Sequence, residues 1–131
     1  MDSNVVGYLV MGTEPFAREV RKFWSAVAEK TAPVQWEAEV ANVVWMAVRS
    51  GVLSSAEGST RLTLAAGLNI ESVPNRLLWQ GALSRSVASG VAVYDTLFVE
   101  LAARERLPLA TFDKAVLQAF PEIARRPADL M

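Results

Sequence analysis

The 131-residue sequence contains no cysteine and no histidine. Without cysteine there is no disulfide and no thiolate metal site, a composition that suits a reducing compartment. Without histidine there is no imidazole base for a hydrolase triad, no histidine-held metal and no histidine-pair acid–base catalysis. Any catalysis must run on carboxylates, hydroxyls, lysines or an ion held by oxygen. An excess of either charge is also lacking. Thirteen basic against fourteen acidic residues leave a formal net charge of -1, so no overall field recruits nucleic acid or an anionic membrane, and any such ligand needs a local patch. Spanning a bilayer takes ~20 apolar residues, and neither a run of that length nor a basic segment leading into an apolar one is found. The expectation is a cytoplasmic protein that does not use a membrane.

What is present is apolar: 52% of residues are hydrophobic, and no low-complexity tract, repeat or linker interrupts the chain. One domain over residues 1–131 with its own core is expected. Short β-like runs alternate with helical ones. Helices are predicted at 3–10, 15–29, 36–49, 55–68, 75–89, 94–106 and 114–120, with strands at 32–34, 69–73 and 108–111. Gly51 ends one helix, and Ser54 to Glu57 fits a capping box that opens the next. Strands separated by helices point to an α/β sandwich with a largely parallel central sheet, in which ligands bind at the carboxyl ends of the strands.

Four acids fall on that edge. Asp2 stands where a first strand would end, Glu39 lies in the first turns of the helix after the strand at 32–34, Asp95 opens an apolar helix, and Asp113 follows the strand at 108–111. Helical spacing puts Glu39 on a stripe with Trp36, Val43 and Met46, and Asp95 on one with Phe98, Val99 and Ala102, so both acids are expected to face inward. Glu100, by contrast, can pair with Arg104 one turn on, as an ordinary exposed ion pair. A single aspartate opening a helix is usually a cap or a dipole partner; four carboxylates brought together repel one another unless a cation neutralises them. With oxygen ligands only, the cation expected is Mg²⁺ or Mn²⁺. Such an ion lowers the pKa of a bound water and stabilises charge on a phosphoryl oxygen, the chemistry of phosphodiester hydrolysis.

The segments MDSNVV, APVQWEAEVANVVWMAVRSGVLS, VAVYDTLFVELAA and PLATFD, in this order and spacing, resemble the PIN-domain ribonucleases, and within them the VapC-type toxins of toxin–antitoxin pairs. The resemblance implies a PIN-like three-layer sandwich, a homodimer, a cognate antitoxin partner, and metal-dependent cleavage of RNA by a metal-activated water. Position by position, Asp2, Glu39, Asp95 and Asp113 match the family's catalytic, metal-holding acids. Thr111 matches the hydroxyl residue of the last motif, and Asn4 the residue that helps orient the first aspartate or the bound water. One departure is plain. Family members carry several apolar residues before the first aspartate, whereas here Asp2 follows Met1 directly, as if the sequence began inside the first strand or its start were assigned late. A shortened strand is expected to hold Asp2 loosely, which motivates the alternative of a catalytically weak PIN-like module acting through antitoxin or RNA binding.

Other folds with acidic edges fit less well. Asp2-Ser3-Asn4 supplies neither the paired acids of a receiver domain nor the D-x-D-x-T of a haloacid-dehalogenase-like phosphatase, and a glycosidase needs only two carboxylates. Trp24, Trp36, Trp45 and Trp79 are expected in core or dimer packing rather than stacked on bases. Arg49, Arg85, Lys114, Arg125 and Arg126 read as solvated surface.

Overall fold

The strands form two separate two-stranded parallel sheets rather than one continuous central sheet, and two residues at the amino terminus bridge them. In the computed structural model, which describes residues 1–131, the Met1 amino group donates to the Thr31 carbonyl at 2.8 Å and the Asp2 amide donates to the Ala110 carbonyl at 2.9 Å. Thr31 begins β1 (Thr31–Pro33), which pairs in parallel with β2 (Glu71–Val73). Ala110 ends β3 (Leu109–Ala110), which pairs in parallel with β4 (Ala124–Arg125). Met1 and Asp2 therefore fill the gap between the two pairs. The Met1 ammonium is buried there, and desolvation lowers its pKa to about 6 against the opposing pull of Asp2.

Seven α-helices surround the strands: α1 (Ser3–Met11), α2 (Phe16–Ala26), α3 (Trp36–Arg49), α4 (Ser55–Ala66), α5 (Trp79–Ser89), α6 (Val93–Glu105) and α7 (Lys114–Ala119). Their ends follow local chemistry. The Ser54 hydroxyl accepts from the Glu57 amide at 3.1 Å while Glu57 Oε1 accepts from the Ser54 amide at 3.0 Å, completing the expected capping box of α4. Gly12, at φ 69°, closes α1 in the left-handed conformation that glycine adopts without a Cβ clash.

Helix α6 organises the core. Phe98, Val99 and Ala102 enter a cluster with Val6, Val10, Trp36, Val40, Val44, Leu109 and Val116, whereas Leu97 and Leu101 pack on Leu78 and Ala82 of the preceding segment. A helix apolar on nearly every side has to be surrounded, and burial of each such side chain is worth ~1.5–3 kcal/mol.

Several boundaries differ from expectation. Helix α2 stops at Ala26, where Val27 turns extended, rather than at 29. The strand expected from 69 begins at Glu71, because Asn69 takes a left-handed φ of 56°. The helix expected at 75–89 is a 3-10 turn, Asn75–Leu77, followed by α5. Strand β4 and the 3-10 turn Pro127–Leu130 carry no periodicity long enough to predict. Of the tryptophans, Trp36 is buried but Trp45 and Trp79 are exposed.

Glu100 is a further correction. It pairs with Arg104 at 2.6 Å as expected, but it is buried and also takes a hydrogen bond from Arg85 at 2.9 Å. Burial raises its pKa, and the two guanidiniums more than offset this, leaving it below the ordinary value. The carboxylate fits because residue 81 is glycine: a Cβ there would run into the Glu100 carboxyl group.

Candidate active site

The bond that fixes Asp2 to Ala110 also delivers its side chain to the end of β3. The Thr111 hydroxyl donates to Asp2 Oδ2 at 2.7 Å, and Asp2 is almost wholly buried. The same hydroxyl oxygen accepts from the Asp113 amide at 3.0 Å and from Asn4 Nδ2 at 3.3 Å. Asn4 Oδ1 in turn accepts from the Phe112 amide at 3.3 Å. Asp2, Asn4, Thr111 and the backbone leading to Asp113 thus form one network across two chain segments. The expectation that a shortened strand leaves Asp2 loose is not met: two backbone bonds from residues 1 and 2 and one buried side-chain bond hold it.

Asp113 caps α7, its Oδ1 accepting from the Val116 amide at 3.1 Å. Asp95 sits in the first turn of α6, half-buried, as its stripe with Phe98, Val99 and Ala102 requires. Glu39 sits in the first turns of α3, also half-buried. The stripe expected to carry it inward is corrected in part. Trp36 is buried, but Val43 and Met46 are exposed, and the core face of α3 is Trp36, Val40 and Val44. Glu39 lies at the border between that face and an open cleft.

The acids feel one another. Burial pushes Asp95 up to about 6, with the Asp2 and Asp113 charges adding to the rise. Burial pushes Glu39 up to about 7, helped by Asp2 and Asp95 and opposed by a hydrogen bond from Ser3. Asp2 is raised as well, chiefly by burial, although the Thr111 hydroxyl pulls the other way. The four residues named from sequence therefore share one electrostatic neighbourhood. Sequence reasoning passed over Ser3, whose hydroxyl lies 3.4 Å from Asp2 Oδ1. Its signal was only adjacency to Asp2.

Over residues 1–125 the chain matches the PIN domain family. It belongs to that family. A search of curated proteins returns no match. PIN domains are generally nucleases and typically use divalent metals.

The donor chemistry fits a divalent cation. The side chains are oxygen donors without histidine or cysteine, and Glu39 Oε1 is buried with no hydrogen-bond partner. Mutual repulsion among Asp2, Glu39 and Asp95 is the condition a cation would relieve. In the arrangement observed, no three acidic side chains stand close enough together to hold a single ion. The PIN domain thus presents the donors on one edge without assembling them into a finished ligand cage.

Proposed function

We propose that the protein is a metal-dependent endoribonuclease, hydrolysing RNA phosphodiester bonds, and the toxin of a VapBC-type toxin–antitoxin pair. The observation that carries the reading is the side-chain network that joins Asp2, through Thr111 and Asn4, to the turn of Asp113, in a chain that matches the PIN domain family; burial raises the pKa of Asp2, Glu39 and Asp95 beside it. Asp2, Glu39, Asp95 and Asp113 would hold Mg²⁺ or Mn²⁺, which supplies a more acidic water and neutralises charge on the phosphodiester.

The chain's own residues divide the remaining work. Thr111 fixes the Asp2 carboxylate and, through its second bond, the turn that carries Asp113. Asn4 ties that turn to α1. Glu39 Oε1, unpartnered within the protein, is free to accept a donor brought by ligand or solvent. Trp45 and Met46 on α3, and Trp79, Leu83 and Val87 spaced four apart on α5, are exposed; apolar surface of this kind supports docking of an antitoxin helix and of a second copy.

The separation of the acids favours a second reading, a catalytically weak PIN-like module that acts through antitoxin or RNA binding. One experiment decides between them: labelled total tRNA and a generic single-stranded RNA incubated with purified protein in Mg²⁺, Mn²⁺ or EDTA, beside Asp95→Asn. Cleavage that needs metal and is lost in the variant upholds the nuclease. Binding without cleavage upholds the module.

A further inference from the structure

Beside Glu39 a cleft of about 390 Å³ opens between the start of α1 and the outer face of α3. It is lined by Ser3, Asn4, Ala38, Glu39, Asn42 and Val43, and its size is that of a small-ligand site. No lysine or arginine lines it. Away from an ion held at Glu39, a phosphate is therefore a poor occupant, and a neutral group bearing donors and acceptors is a good one.

Asn42 is the residue in this cleft without a structural task. It is exposed, one turn beyond Glu39 in a 14-residue helix, where asparagine is among the less favourable choices. Its amide nitrogen meets only the Met46 sulfur, at 3.8 Å. The amide of Asn4, by contrast, is spent on Thr111 and Phe112. Val43 beside Asn42 is 42% exposed, an apolar side chain turned away from the core and toward the opening.

Resting on the nuclease reading above, we propose that this cleft seats the base of the nucleotide next to the scissile phosphate, with Asn42 as a specificity-determining residue. A carboxamide presents one donor face and one acceptor face, which matches the paired groups on a base edge, and unstacked RNA bases expose those edges. Val43 contacts the ring face. Neutrality matters here, because a carboxylate at residue 42 would add to the repulsion already felt by Glu39, and a lysine would compete for the acids.

The test is steady-state cleavage of a single-stranded RNA series varying the four bases around the cut, by wild type and Asn42→Ala, with Mn²⁺. Alanine favours the helix, so the variant should fold, which circular dichroism checks. Loss of one or two hydrogen bonds is expected to raise KM about tenfold, leave kcat within about twofold, and flatten the preference among bases. Unchanged KM and base preference, or a fall in kcat at unchanged KM, would overturn the assignment. The same RNAs are titrated by fluorescence anisotropy onto Asp95→Asn with and without Asn42→Ala. If the protein binds RNA but cuts none, the nuclease reading fails alone, and the ratio of the two Kd values still decides the role of Asn42. If it neither binds nor cuts, both readings fall.

Discussion

Thr111 Oγ1 stands 2.7 Å from Asp2 Oδ2, a buried hydrogen bond between residues 109 positions apart. Because this one hydroxyl also accepts from the Asp113 amide and from Asn4, it couples two of the four acids to a common support. Thr111→Val keeps the shape and removes the hydroxyl, stranding a buried carboxylate and a backbone N–H. A loss of ~1–3 kcal/mol in urea unfolding is expected, together with a fall in any RNA cleavage. Thr111→Ser should retain most of both. Equal stability of the valine variant and wild type would show that the bond carries no weight.

Asp95 contributes charge to the site but anchors no loop. Asp95→Asn should abolish metal-dependent cleavage of RNA, read on labelled tRNA, with the far-ultraviolet circular dichroism of the folded protein unchanged. At pH 8 in EDTA the same variant should melt higher than wild type, since it removes a carboxylate whose charge is disfavoured by burial and by the Asp2 and Asp113 charges. A lower melting point would contradict the view of the site as mutually repelling acids.

The raised carboxylates also fix the sign of the pH dependence. Asp95 rises from 3.8 to about 6 and Glu39 from 4.5 to about 7. Between those ordinary and raised values the folded protein holds more protons than the unfolded chain, so stability falls as pH climbs through the interval. Melting in EDTA from pH 4.5 to 6 should show this decline; above pH 6 the Met1 amino group, lowered from 8.0 to about 6, acts in the opposite sense. Mn²⁺ should reverse it at the alkaline end by binding only the folded state. A melting temperature indifferent to Mn²⁺ at pH 8 would argue against an ion at these residues.

Gly81 and Glu100 offer a test in which the sign itself changes. Gly81→Ala in the wild type drives a Cβ into a carboxyl group locked by Arg85 and Arg104, and should destabilise by roughly 1–3 kcal/mol. In a Glu100→Ala background the obstacle is gone, and alanine's helix preference should make the same substitution stabilising by up to ~1 kcal/mol. A double-mutant cycle reads the coupling. Additive effects would mean that the close approach does not matter.

The sequence by itself determined the alternation of helices with short strands, the capping box at Ser54 and the extent of α3; it also singled out four acids, whose role rests on the resemblance of their motifs. The helices, the cap and the alternation depend on periodicity and on local capping chemistry, both written among neighbouring residues, whereas the acids were picked out by four motifs spread along the chain. It did not determine the ends governed by a single dihedral, such as Asn69, nor β4, whose two residues gain their meaning from pairing with β3. The exposure of Val43 and Met46 was equally hidden, because helical spacing defines a stripe without saying what covers it. Glu100 and Arg104 were visible as a pair, but Arg85 and Gly81, which make the pair a buried clamp, come from another helix. Only the tertiary structure decided how Asp2 is held: its partners, Ala110 and Thr111, lie more than a hundred residues away. The raised pKa values of Glu39 and Asp95 were likewise beyond the sequence, since burial and the separation of charges exist only once distant segments have packed.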